Sequence, residues 1–158
     1  MNQPAFAFGK NWRKFLRKIY QSRISDSVAD MKEIGLRYGV DFPGARCIDI
    51  GSGSGLHSVA MMILGAKELV CIDADADSVI ATQMMIARGR SEGLFPSYKN
   101  DPTVIRGSIL SNEDVSSIGK FDFVYSWGVL HHTGDMKKAI ENALFLVSDA
   151  GVAYFTLY

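Results

Sequence analysis

The run Asp49-Ile50-Gly51-Ser52-Gly53-Ser54-Gly55-Leu56 joins an apolar segment to an amphipathic one through three glycines at alternate positions. Glycines at such a junction let a nucleotide-like ligand approach the backbone, because no Cβ intervenes and positive φ carries no steric cost. The free N–H groups and positive end of the helix that follows suit an anionic group, a carboxylate as well as a pyrophosphate. Asp73 closes the next apolar run, 20 residues after Gly53, where a carboxylate can accept both hydroxyls of a ribose. Further along stand His131 and His132, whose imidazoles could serve as general bases.

Positioning these groups is the work of alternating strands and helices. Arg46–Ile50 reads as strand one, and Leu56, Val59, Ala60, Ile63 and Leu64 form a helical stripe that Gly65 stops. Leu69–Ile72 reads as strand two, followed by a helix capped by Asp75 or Asp77 and running to about Arg88. Residues 89–102 are rich in Gly, Pro, Asn and Ser and predict a loop. Thr103–Ile105 is a short strand three, and Ser111-Asn112-Glu113-Asp114 fits a capping box that opens a short helix. Phe121–Ser126 is strand four, Met136, Ile140, Ala143, Leu144 and Val147 mark a helix, and Val152–Leu157 is strand five. This order implies a parallel sheet covered on both faces by helices, with strands that are apolar throughout. Ahead of it, residues 24–38 predict a helix with Ile24, Val28, Met31, Ile34 and Tyr38 on one face. Residues 10–20 predict a basic amphipathic helix, with Trp12, Phe15, Leu16 and Ile19 interleaved among Lys and Arg.

The chain has 158 residues, the length of one domain, and 47% hydrophobic composition, enough for a core. Its formal net charge of +0 gives no global field toward nucleic acid. No apolar run approaches the roughly 18 residues of a membrane span, and no signal-type segment opens the chain, so a cytoplasmic location is expected. Cys47 and Cys71 fall in strands and read as buried reduced thiols. No Cys or His pairs have zinc-ligand spacing, so no metal is expected.

The dinucleotide pattern G-x-G-x-x-G would need a third glycine at position 56, which is Leu56. The spacing found here, with Asp49 two residues before Gly51, closely resembles motif I of class I S-adenosylmethionine-dependent methyltransferases. The segment from Phe121 through Trp127-Gly128-Val129-Leu130-His131-His132 to Asp135 is similar to the post-strand-four motif of the ubiquinone- and menaquinone-type small-molecule methyltransferases. Leu146-Val147-Ser148-Asp149-Ala150-Gly151 resembles that family's turn before strand five, with Asp149-Ala150-Gly151 in place of Pro-Gly-Gly. The resemblance covers about residues 45 to 158.

It implies a Rossmann-like α/β fold, a doubly wound parallel sheet of strand order 3-2-1-4-5. Residues 1–43 would be an N-terminal helical lid and residues 44–158 the cofactor-binding domain. The implied cofactor is S-adenosylmethionine. Gly51, Gly53 and Gly55, with Ser52, would make room for its methionine moiety, and Asp49 would orient the amino group through water. Asp73 would hold the ribose and Ala74 would pack beside the adenine. Ser108 takes the adenine-edge position, where many relatives carry an acid. Trp127 would open the loop near the sulfonium, and His131 or His132 would act as base if the acceptor needs one. The implied activity is methyl transfer to a small-molecule acceptor by direct displacement. Two other readings compete: a cofactor-binding fragment or pseudoenzyme without turnover, and an NAD-dependent oxidoreductase. The family's strands six and seven, an antiparallel hairpin, have no counterpart before Tyr158. Strand five is therefore expected to present an open edge, a route to homodimers. No nucleic-acid partner is expected, because the residues after strand four lack the Pro-Pro motif that grips a flipped base.

Overall fold

The structure, a computed structural model, describes residues 20–95 and 100–158. Its elements in chain order are α1 (Tyr20–Tyr38), β1 (Arg46–Ile50), α2 (Leu56–Ile63), β2 (Glu68–Asp73), α3 (Ala76–Ser91), β3 (Thr103–Arg106), α4 (Asn112–Ile118), β4 (Phe121–Trp127), α5 (Met136–Phe145) and β5 (Val147–Thr156). Single 3-10 turns at Phe42–Gly44 and Leu130–His132 precede β1 and follow β4. All five strands are parallel, in the order β3-β2-β1-β4-β5 that the sequence implies.

Two apolar clusters sandwich the sheet. On one side Cys47, Leu69, Cys71, Phe123 and Tyr125 meet α1, α2 and α3 through Met31, Val59, Met62 and Met85. On the other, Ile48, Ile50, Val70, Ile72 and Val124 meet α4 and α5 through Val115, Ala139 and Ala143. Neighbouring strand residues alternate between the two clusters, yet both faces are apolar, as a sheet covered on both sides requires. Both cysteines are free and buried. Helix α1 ends at Gly39, whose φ of +74° lets Val40 N–H donate back to Gly35 C=O at 2.9 Å, a closure that stops the helix. Ile24, Met31 and Ile34 of α1 belong to the core. The basic aromatic segment with Trp12, Phe15, Leu16 and Ile19 lies outside the described residues.

Three boundaries differ from the sequence reading. Helix α3 continues to Ser91, through Gly89, because that glycine is a packing site: a Cβ there would stand 2.6 Å from the Phe95 ring. Val147 is in β5 and not in the preceding helix, which stops at Phe145. The expected turn at Asp149-Ala150-Gly151 is a bulge inside β5. Val147 pairs with Phe121 and Val152 with Phe123, so five steps along β5 match two along β4. Gly151 fits there because a Cβ would come within 2.8 Å of Phe121 C=O. The Ser111 cap is half a capping box: Ser111 accepts from Asp114 N–H at 3.1 Å, but the Asp114 carboxylate accepts from Ser108 N–H at 2.9 Å.

Candidate cofactor site

In an open parallel sheet, ligands bind beyond the carboxyl ends of the strands, where the order reverses. Here the reversal lies at β1 and β4, so the loops after these two strands face each other. They touch. A Cβ on Gly51 would stand 2.5 Å from both Val129 methyl groups. Gly51, Gly53 and Gly55 have φ of +75°, +54° and +76°, the left-handed region that L side chains rarely adopt. Gly55 also abuts α3, since a Cβ would lie 2.9 Å from Thr82 Cα.

The loop is tied down from three sides. Gly51 N–H donates to Ile72 C=O at 2.7 Å, and the hydroxyls of buried Ser52 and Thr82 pair at 2.9 Å. Gly53 N–H donates to an Asp73 carboxylate oxygen at 3.0 Å, while the other oxygen accepts Asp75 N–H at 2.9 Å. A carboxylate offers about four lone-pair directions, so Asp73 keeps acceptor capacity for a ribose hydroxyl. Burial pushes the Asp73 carboxyl above the usual carboxylate range, and the backbone N–H groups of Asp75, Gly53 and Ala74 pull it back. Ala74 is exposed next to it.

Asp49 is 3% exposed beneath the loop. Its carboxylate accepts the Ser58 hydroxyl at 2.5 Å, and Cys71 Sγ donates to Ser58 Oγ at 3.3 Å. Loss of solvent raises the Asp49 pKa to about 7; the Ser58 bond opposes this and the Asp73 charge adds to it. Ser108 lies past β3, where its N–H is taken by Asp114 and its hydroxyl accepts Leu110 N–H at 3.1 Å. Gly107 N–H donates to Asp73 C=O at 3.0 Å, which sets this loop beside the tip of β2.

Trp127 ends β4 with 46% of its surface exposed. The His131 ring packs 3.9 Å from His132 and 4.9 Å from Tyr158, centroid to centroid. Both His131 ring nitrogens are buried with no hydrogen-bond partner among the described residues. His132 is exposed. The structure thus gathers Asp49, the glycine loop, Ser52, Asp73, Ala74, Ser108 and Trp127 at one end of the sheet.

A family model described as a methyltransferase domain matches residues 12–158. The chain belongs to the class I S-adenosylmethionine-dependent methyltransferases. Among solved structures, a candidate S-adenosyl-L-methionine-dependent methyltransferase from Methanococcus maripaludis superposes with a TM-score of 0.72 at 17% identity, over 98% of this chain and 66% of that one. Magnesium protoporphyrin IX methyltransferase from Synechocystis, with S-adenosylmethionine bound, gives 0.58 at 23% identity, over 94% of this chain and 62% of that one. Among curated relatives, ribosomal protein L11 methyltransferase of Pseudomonas fluorescens is 38% identical over 61 residues, 38% of this chain and 21% of that protein. The tRNA U34 carboxymethyltransferase of Campylobacter hominis is 25% identical over 145 residues, 90% of this chain and 47% of that protein. The chain therefore spans less than half the length of these curated relatives.

Several neighbours of the candidate site were not evident in the sequence. Ser58 and Thr82, which pair with Asp49 and Ser52, lie among the buried residues of their helices and are themselves fully buried. A buried hydroxyl on an otherwise apolar helix face was the available signal. His57 reads from sequence as a surface or boundary residue; it is partly buried, and its ring lies 5.2 Å from that of Tyr125 and 5.7 Å from that of Trp127.

Proposed function

We propose that this chain binds S-adenosylmethionine across the tips of β1, β2 and β4 and transfers its methyl group to a small-molecule acceptor. The observation that carries this is the Asp73 carboxylate, hydrogen-bonded to Gly53 within a loop of three positive-φ glycines at the switch point. The residues fit the cofactor: a carboxylate with spare lone pairs for the ribose, a backbone free of Cβ atoms for the methionine moiety, and a second acid, Asp49, behind it.

When bound, the cofactor supplies a methyl group already activated on a sulfonium. The protein's task is alignment and exclusion of water. Gly51, Gly53 and Gly55, with Ser52 fixed by Thr82, shape the methionine pocket; Asp49 faces the amino group. Asp73 receives the ribose hydroxyls, Ala74 packs on the adenine, and the backbone around Ser108 borders the adenine edge, its N–H already held by Asp114. Trp127 stands at the mouth. His131 and His132 remain base candidates in the post-β4 turn, and alanine replacement of both would lower turnover if either serves. Residues 1–43 would form the helical segment over the site; its helix α1 packs on the core through Ile24, Met31 and Ile34.

The acceptor class is tested by incubating the chain with methyl-tritiated S-adenosylmethionine and, separately, a cell extract of small metabolites, total tRNA, or ribosomal protein. Label in the small-metabolite fraction supports the reading. Label confined to tRNA or protein would replace the small molecule by the acceptors for which the curated relatives are named.

A further inference from the structure

His57 lies at the same end of the sheet as the candidate cofactor site. It is the second residue of α2, directly after the glycine loop. Its ring meets Tyr125 edge-on at 5.2 Å and Trp127 at 5.7 Å, both from β4. Tyr125 in turn stacks on Tyr154 of β5 at 5.9 Å with the planes 6° apart. An aromatic wall thus runs from the half-exposed Trp127 inward, beside the loop expected to hold the methyl donor.

One hydrogen bond fixes the imidazole: Nδ1 lies 3.2 Å from the Tyr125 hydroxyl. Burial, with Asp49, Tyr154 and Asp30 nearby, pushes the Tyr125 phenol well above its ordinary value, so it keeps its proton. That buried O–H has no other acceptor among the described residues, so pairing it requires donation to Nδ1. A neutral imidazole accepting at Nδ1 carries its own proton on Nε2. Burial lowers the His57 pKa to about 4, against a pull upward from Asp30 of α1, so the ring is neutral at pH 7. Nε2 has no hydrogen-bond partner among the described residues, and the His57 residue as a whole is only partly buried.

We infer that His57 Nε2–H is an acceptor-binding donor: it holds an oxygen of an uncharged planar ring that lies against Trp127. This rests on the methyltransferase reading and names the substrate class for it. Tyr125 is the positioning residue, since it acts through His57 by fixing the tautomer. A carbonyl or hydroxyl oxygen suits the donor, whereas the nearby Asp30 carboxylate disfavours a ring carrying a carboxylate. An aromatic face beside the donor supplies the stacking that a planar ring would use. Such a contact would orient the acceptor for displacement, which is what a sulfonium methyl transfer demands of the protein.

The test uses the full chain with 15N-labelled histidine, saturated with S-adenosylhomocysteine, and titrated with 4-hydroxyacetophenone as neutral probe and 4-hydroxybenzoate as its anionic counterpart. The His57 Nε2–H pattern is expected before addition, with a saturable shift on the neutral probe and at least tenfold weaker response to the anion. His57→Ala should weaken the neutral probe at least tenfold, and His57→Gln, which keeps an N–H donor, should recover part of that loss. Tyr125→Phe should make the ring exchange between tautomers. In every variant S-adenosylhomocysteine affinity should stay within twofold of the parent, which separates this claim from the cofactor claim. Failure of the parent chain to bind S-adenosylhomocysteine would overturn both claims. Normal S-adenosylhomocysteine binding with no shift at His57, or with His57→Ala equal to the parent, would overturn this one alone.

Discussion

Asp49 and Asp73 are both carboxylates at strand ends, but their surroundings ask different things of them. Asp73 is held by the backbone N–H groups of Gly53, Asp75 and Ala74 and faces the loop. Asp49 is closed in beneath it with one hydroxyl partner, and its pKa of about 7 leaves it partly protonated at neutral pH. Between about 3.8 and about 7 the folded state keeps a proton that the unfolded chain has lost. The stability this proton contributes is present at low pH and disappears as pH rises through about 7. Asp49→Asn should therefore stabilise the fold at pH 8, on the order of 2 kcal/mol, with little effect at pH 4. Cofactor affinity should move the other way. An ionised Asp49 favours the cationic amino group, so S-adenosylmethionine should bind more tightly at pH 8 than at pH 6. In the Asn variant that dependence should flatten. Urea unfolding and calorimetric titration at the two pH values check both halves; a variant with unchanged stability and unchanged pH dependence would contradict the account.

The glycine loop as an element shows why its spacing matters more than its glycine content. Gly39 and Gly55 share nearly the same backbone, φ of +74° and +76°, but nothing lies near a Cβ at Gly39 while Thr82 Cα would block one at Gly55. Gly39→Ala should cost about 1 kcal/mol, from the left-handed backbone alone. Gly55→Ala should cost more, about 2–4 kcal/mol, and should also weaken cofactor binding, because α3 must move away and takes Thr82 from Ser52. Equal urea midpoints for the two variants would argue against that packing. The elements that were legible in sequence have local causes: the five strands from apolar runs, the Asp75 cap, and the Gly39 stop. Those that were not have causes distant in the chain. Gly89 reads as a loop breaker until Phe95 is seen to occupy its empty side. Asp149-Ala150-Gly151 reads as a turn until β4 pairs on both sides of it. His57 reads as a surface or boundary residue because its partners, Tyr125 and Trp127, arrive some seventy positions later.

For the whole molecule, the sheet order converts sequence distance into proximity. Residues from positions 49 to 132 converge because β1 lies centrally, with β2 on one side and, after the chain crosses back from β3, β4 on the other. The fold was readable from the alternation of elements, and the resemblance supplied its strand order. Which groups the fold ties to the site was not readable: Ser58 under Asp49, Thr82 under Ser52, and Asp114 on Ser108 N–H. In the described sheet β3 and β5 are the two edge strands.

The central claim is that one end of this sheet is an S-adenosylmethionine site organised around Asp73. The most direct measurement is calorimetric titration of the purified chain with S-adenosylhomocysteine and, separately, with NAD, with Asp73→Ala as the comparison. Removing the carboxylate leaves the N–H groups of Gly53 and Asp75 without their partner, a stability loss of about 1–3 kcal/mol that circular dichroism would show to be tolerated. The account predicts saturable binding of S-adenosylhomocysteine, at least tenfold weaker in the folded variant, and no binding of NAD. Binding of NAD in its place, or no binding of S-adenosylhomocysteine by a well-folded chain, would contradict it.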